Sequence, residues 1–333
     1  MTRHYYRPIL SSDIARPDAA YAFGAGWFSS VEILQRGAAP SVVPVNAVPA
    51  EALAMLTGPR PLAVQRPQIM GIVNATPDSF SDGGLHAVAH DAIAGGLAMA
   101  QAGADILDIG GESTRPGAQA VAPQEEISRT VPVIEGLRRA GFTGTISIDT
   151  RKAEVARAAL VAGADMVNDV SGFIHDPALA GVAAAADVPV CVMHGPVDPA
   201  TMHHDPQYDD VLLDVYDWLE ARIAALEAQG IARSRIIADA GIGFAKTHEH
   251  NLALLARLSL FHSLGVPILL GASRKKFIGT IGNAPQASDR AAGSIAVALA
   301  GIAQGVQFVR VHDVAQTVQA VALWRATRAG RTQ

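Results

Sequence analysis

The chain has 333 residues, half of them hydrophobic and 17% charged, with a net charge of -5. That balance supports a large buried core and excludes a disordered chain, and there is no basic run to bind nucleic acid or an anionic membrane surface. The single cysteine, Cys191, excludes an internal disulfide and fits a reducing, cytoplasmic setting, while no stretch reaches the roughly 18 apolar residues of a membrane span.

Residues 1–66 are rich in Pro and Ala and carry only short apolar patches. Trp27, Phe28, Val31 and Leu34 are spaced for one small amphipathic element. This stretch is expected to be an N-terminal extension packed on the domain that follows. Beyond it the pattern is regular. Eight short apolar runs, at 69–73, 106–109, 146–148, 166–167, 190–193, 236–238, 268–270 and 308–311, alternate with longer segments. Continuous apolar runs are the mark of parallel strands buried on both faces. Residues 91–102, 125–139, 153–162, 212–229, 252–264 and 291–304 have helical composition. Gly103, Gly141, Gly163, Gly230, Gly265 and Gly305 follow them, where a helix C-cap favours glycine. Eight β-α units in series predict an α/β fold, a (β/α)8 TIM barrel over residues 67–333 with the extension before it.

In such a barrel the chemistry gathers at the C-terminal ends of the strands. After the first run stands Asn74-Ala75-Thr76-Pro77-Asp78-Ser79-Phe80-Ser81-Asp82-Gly83-Gly84, and after the second Gly110-Gly111-Glu112-Ser113-Thr114-Arg115-Pro116-Gly117. The third and fourth end in Asp149 and in Asn168-Asp169, and the fifth leads to His194. The sixth runs into Asp239-Ala240-Gly241-Ile242-Gly243-Phe244-Ala245-Lys246. The seventh and eighth carry Ser273-Arg274-Lys275 and Arg310-Val311-His312-Asp313. Asp149, Asn168 and Asp239 are short polar groups suited to the donors and acceptors of a flat heterocycle. Arg115, Lys275, Arg310 and His312 suit an anion, and the last two units commonly build a phosphate site.

Each residue also has a plainer reading. Asp149 alone is a good helix N-cap, Asn74 a turn residue, Asp239 a strand-end cap, and Lys275 and Arg310 solvated charges; their joint placement favours the functional role. Cys191 in an apolar run reads as a small core residue. His203-His204-Asp205 reads as a polar loop, and His248 and His250 as surface residues at a helix start. Glu112 reads as a buried partner that holds Arg115 or the second loop.

The blocks at 72–84 and 108–117 resemble the two signatures of the dihydropteroate synthases, and the shorter blocks at 147–150, 168–172, 239–246, 271–275 and 310–313 match later ones in order. The resemblance covers about residues 68–325. It implies condensation of 6-hydroxymethyl-7,8-dihydropterin pyrophosphate with p-aminobenzoate, releasing pyrophosphate, in the step of folate biosynthesis that is the sulfonamide target. Asp149, Asn168, Asp239 and Lys275 match the pterin site, and Asn74, Arg115, Arg310 and His312 the pyrophosphate site. Asn74 is the implied protein ligand of Mg2+, an oxygen donor that suits a hard cation. Phe80, Thr114, Arg115, Pro116 and Lys275 match the loops around p-aminobenzoate. Lys275, Asp149 and Arg310 are the implied catalytic set. The two Gly-rich loops are expected to close over the bound anion and create the p-aminobenzoate pocket.

Two blocks depart from the family pattern. Asp239-Ala240-Gly241 stands where Asp-Pro-Gly is usual, with Ala245 in place of a Gly. Met193-His194-Gly195-Pro196-Val197 lacks the usual Gln and Gly. A methyltetrahydrofolate-binding methyltransferase domain would share the barrel but has no need of Lys275, Arg310 and His312, and a non-catalytic pterin-binding paralogue would fit the altered 193–197 loop. The stretch 291–303 is small or apolar on every face, so its outer side is expected to be covered in a homodimer.

Overall fold

The computed structural model describes residues 3–62, 66–76, 84–113, 120–195 and 206–330, with the backbone alone for 84–87. Five short strands and a helix come first: β1 (Tyr5–Pro8), β2 (Tyr21–Phe23), β3 (Gly26–Phe28), β4 (Ser30–Leu34), β5 (Ser41–Pro44) and α1 (Ala50–Thr57). β1, β4 and β5 form an antiparallel sheet, and β2 and β3 a hairpin. Trp27 and Phe28 thus lie in one strand and Val31 and Leu34 in another, so the single amphipathic element expected there is two strands. Their inward residues, with Phe23, Val45, Val48 and Leu56, make a small apolar cluster.

The eight expected runs are β6 (Gln68–Asn74), β7 (Ile106–Gly110), β8 (Thr145–Asp149), β9 (Met166–Asp169), β10 (Val190–Met193), β11 (Ile236–Asp239), β12 (Ile268–Leu270) and β13 (Phe308–Val311). All neighbouring pairs are parallel, and β13 pairs with β6 to close the barrel. Helices α2 (Gly84–Gln101), α3 (Pro123–Arg139), α4 (Ala153–Val161), α5 (Leu179–Ala186), α6 (Val211–Ala228), α7 (His248–Ala256), α8 (Lys276–Ile281), α9 (Ala291–Ala303) and α10 (Val314–Ala329) accompany them. The six glycines expected behind helices all have positive φ, between 74° and 112°. The segment expected as one helix over 252–264 divides. α7 opens on a Thr247 cap, and a 3-10 helix follows over Leu258–Leu264.

Side chains on a strand alternate between two sides. One row of the barrel strands, including Ile69, Leu107, Ile109, Ile146, Ile148 and Val309, packs against the helices in the main core. The other row points inward. Its lower members, Met70, Ile106, Met166, Cys191, Ile237, Leu269 and Phe308, form a separate apolar layer, closed from below by Leu62 of the extension. Two residues further along the same strands the inward positions are Asp108, Asn168, Asp239 and Arg310. The interior therefore changes from apolar to polar within one strand repeat, toward the C-terminal end.

The extension is fastened to the outside by ion pairs and aromatic contacts. Arg36 bonds to Asp214 (2.6 Å) and Asp217 (2.7 Å) on α6, and Arg3 to Glu220 (2.7 Å). Buried Tyr5 meets Tyr216 edge-on at 5.3 Å. Arg60 donates to the His262 and Val266 carbonyls, and Phe23 lies on the His262 ring.

Candidate active site

The polar layer is built around Arg310. Its Nε donates to Asp108 Oδ2 at 2.5 Å and its Nη2 to Asp149 Oδ2 at 2.7 Å. Asp108 Oδ2 also accepts from Asn168 Nδ2 at 3.1 Å. Four strands, β7, β8, β9 and β13, are thus tied through one guanidinium and one carboxylate. Burial opposes charge on Arg310, but Asp108 and Asp149 outweigh it and raise its pKa further. Burial pushes the Asp149 carboxyl up, Arg310 pulls it down, and Asp108 and Asp169 push it up again. The site is thus a dense, partly compensated set of charges in a low-dielectric wall.

Across the barrel, Asp239 is 5% exposed at the end of β11, and its Oδ1 accepts from Gly241 N at 2.8 Å. Burial raises its carboxyl while that bond and Lys275 oppose the rise. Lys275 follows β12. Its Nζ lies 3.7 Å from the centroid of the Phe244 ring, a cation-π contact across two loops. Burial and Arg310 bring Lys275 down to about 8, against Asp239 and Asp149. His312 is set by Ser273, whose Oγ receives the His312 N–H (3.2 Å) and lies 3.0 Å from Nδ1. Asn74 ends β6 in the inward row with its side chain exposed.

The structure therefore brings Asp149, Asn168, Asp239, Lys275, Arg310, His312 and Asn74 to one end of one barrel. Phe80, Thr114, Arg115 and Pro116 lie outside the described residues, as do His203, His204, Asp205 and the Pro196-Val197 departure. Glu112 pairs with Arg151 (3.0 Å) and Lys152 (3.2 Å) and accepts from Val121 N, a fixed point at the far side of the second loop.

Three participants escape the sequence reading. Asp108 is fully buried, and the signal for it was a carboxylate at an inward position of an apolar strand. Phe244 is recognisable only once Lys275 lies on it. Lys246 is 5% exposed, and its Nζ faces three acceptors: His194 Nδ1 (2.9 Å), Phe244 O (2.9 Å) and His194 O (3.4 Å). These match the three protons of an ammonium. Burial lowers it to about 7, while Asp239 pulls it up. This lysine joins the loops after β10 and β11. The position where Gly is usual in the family, Ala245, has φ +47°, and its carbonyl accepts from Tyr208 Oη at 2.9 Å. The alanine adopts the left-handed backbone that a glycine takes freely.

Residues 70–312 match the family model described as pterin binding enzyme. The chain is 44% identical over 266 residues to the dihydropteroate synthase of Escherichia coli, covering 80% of this chain and 93% of that one. The chain belongs to the dihydropteroate synthase family.

The Bacillus subtilis relative is 46% identical over 249 residues, 74% of this chain and 84% of its own. Among solved structures, the Xanthomonas albilineans dihydropteroate synthase with 4-aminobenzoic acid superposes with a TM-score of 0.74 at 48% identity, over 79% of this chain and 94% of that chain. The same enzyme in complex with 7,8-dihydropteroate gives a TM-score of 0.71 at 45% identity. The activity is that of the family: transfer of the pterin methyl group from its pyrophosphate to p-aminobenzoate, giving 7,8-dihydropteroate. The uncovered fifth of the chain has no counterpart of its length in these relatives, of which 84% or more is matched.

Proposed function

We propose the following division of labour for the synthase reaction. Asp239 accepts hydrogen bonds from the aminopyrimidine edge of the pterin, Asp149 and Asn168 hold the opposite edge, and Lys275 lies over the ring. Arg310, His312, Asn74 and Arg115 receive the pyrophosphate. The observation that carries this reading is the Arg310 fork. It spans Asp108 and Asp149 and so joins the carboxylate side of the site to the anion side. Among the described residues its Nη1 donates to no group, which leaves a donor for an incoming anion.

In this scheme the bond from the pterin methylene to the pyrophosphate oxygen breaks, and its electrons leave with the anion. The aniline nitrogen then forms the new C–N bond and releases a proton. The cations stabilise the charge that gathers on the leaving group. A free aniline needs no strong base, so the site needs none. Closure of the loops at 75–84 and 113–118 over the anion completes the p-aminobenzoate pocket with Phe80, Thr114, Arg115 and Pro116 and excludes water.

Mg2+ fits the Asn74 end of β6 as an ion held mainly by others. Among the described residues there is no group of three His, Cys, Asp or Glu side chains to cage a metal. One amide oxygen beside an anion site suits a cation that keeps waters and phosphate oxygens as ligands. When bound it would supply neutralising charge for the departing pyrophosphate. A homodimer through α9 is supported by its exposed stripe, Ala292, Ala296 and Ala300, which is small and uncharged. A cytoplasmic setting accords with the lone cysteine, buried and unpaired.

The test is pyrophosphate release by the purified protein, with each component omitted in turn. Release that depends on the pterin substrate, p-aminobenzoate and Mg2+ is expected. Release without p-aminobenzoate, or undiminished without Mg2+, would contradict the scheme.

A further inference from the structure

Between Ser273 and Lys275 stands Arg274, with φ +59°. The Lys275 N–H bonds to the Ala272 carbonyl at 3.3 Å, so Ala272 to Lys275 form a tight turn with Arg274 in its third place. A left-handed third place in a turn belongs to Gly or Asn, and a branched or long residue there is strained. Three neighbours hold it. Arg274 N donates to Ser294 Oγ at 2.8 Å, Arg274 O accepts from Arg290 Nη1 at 3.0 Å, and the guanidinium grips Asp313 through Nε (3.0 Å) and Nη2 (2.5 Å). Ser294 and Arg290 belong to the start of α9, and Asp313 follows β13, so the strained residue is fixed from two sides. Its two chain neighbours both face the site: Ser273 bonds to His312, and Lys275 lies on Phe244.

We propose that Arg274 is a positioning residue for the reaction: its left-handed backbone, clamped by Asp313, Ser294 and Arg290, aims Lys275 and Ser273 into the site. The role rests on the reading of Lys275 and His312 as ligand-facing groups. Strain is stored where the surroundings over-determine it, and such places cluster at active sites. Here the guanidinium–carboxylate pair offsets the backbone cost, and the turn sends the two flanking side chains to different partners, Ser273 to His312 and Lys275 to Phe244.

Three substitutions separate backbone from side chain. Arg274→Gly and Arg274→Asn lose the Asp313 clamp but tolerate positive φ. Arg274→Ala loses the clamp and resists that φ. R274G and R274N are expected to stay within about threefold of the parent kcat, and R274A to fall about tenfold or more below them, a gap of the order that left-handed strain supplies. Burial and Arg310 of β13 bring Lys275 down to about 8, Asp239 of β11 and Asp149 of β8 oppose them, and Lys246 of the loop after β11 faces it as well. The alkaline limb of the kcat/KM profile should stay in place in R274G and R274N and move up in R274A as the lysine turns to solvent. Equal losses in all three variants, no loss in any, or an unmoved limb in R274A would overturn the proposal. Should R274A fail to fold, an R274N as inactive as Arg274→Gln would overturn it equally. Lys275→Ala, assayed alongside, tests the underlying reading. A fully active K275A would sink both, whereas an inactive K275A with R274A equal to R274G sinks the positioning role alone.

Discussion

Arg310 and Asp108 are 202 residues apart in sequence and 2.5 Å apart in the barrel, Nε to Oδ2. Asp108 is fully buried, and among the described residues its second oxygen meets no donor. A buried carboxylate in that state depends on its partners. Asp108→Asn keeps the shape but removes the charge and sets an amide against Asn168 and Arg310. We expect a loss of about 2 kcal/mol in stability, the order of a hydrogen bond to a charged group. Pterin affinity should fall as well, because Asn168 loses its anchor. Urea denaturation and pterin titration of the same preparation check both; unchanged pterin affinity would make Asp108 purely structural.

Asp239→Asn should cripple pterin binding. A carboxylate offers acceptors to the aminopyrimidine edge, whereas an amide turns one of them into a donor. The mismatch should cost about 2–4 kcal/mol, since a buried donor facing a donor adds to the bonds lost. Calorimetry with a pterin ligand measures it, and parental affinity would refute the assignment.

Ala245→Gly should stabilise the protein. The left-handed φ at Ala245 costs an alanine more than the backbone entropy a glycine brings, so a gain of about 1 kcal/mol is expected. Activity should be unchanged, because Tyr208 bonds to the carbonyl and not to a side chain. A lower melting temperature would show that the loop relaxes to another conformation.

His262 should give the extension an acid sensitivity. It is fully buried, and burial with nearby Arg60 lowers it from 6.5 to about 3, against its bond to the Gln304 carbonyl. The unfolded imidazole takes up a proton near pH 6.5 and the folded one does not until about pH 3. The stability it contributes is therefore complete above pH 6.5 and drains as pH falls toward 3. The slope for one such site is about 1.4 kcal/mol per pH unit. His262→Gln can keep the bond to Gln304 without titrating. The stability of the parent relative to H262Q should shrink below pH 6.5 in denaturant titrations at stepped pH. A constant difference would mean that His262 is already charged in the fold.

Much of this was legible before folding, and the remainder for definite reasons. The eight barrel strands show as apolar runs because both of their faces are buried. The rim residues show because polar groups recur just where those runs stop. The strands of the extension do not show: they are three to five residues long, and β5 is largely exposed, so no apolar period builds up. The helix 252–264 breaks because Arg257 leaves helical geometry (φ -133°) at the end of α7. Asp108 hides inside an apolar strand, where composition hides a single charge. Arg274 hides more thoroughly, since a left-handed backbone without glycine leaves no mark in the residue type, whereas at Ala245 the Gly usual in the family was the mark.

The alternation of the barrel strands has an evolutionary consequence. Residues that hold the fold and residues proposed to meet the ligand alternate or succeed one another along the same few positions, yet point to different places. Inhibitor pressure on the upper row can select replacements there without emptying the apolar layer two residues below, so resistance need not cost foldedness. Asp108 breaks that independence. It stands at the boundary, linked to Arg310 and Asn168 and enclosed by core, so its replacement is taxed twice. An inhibitor that leans on Arg310 and Asn168, the two groups Asp108 holds, would therefore depend on the position least free to change.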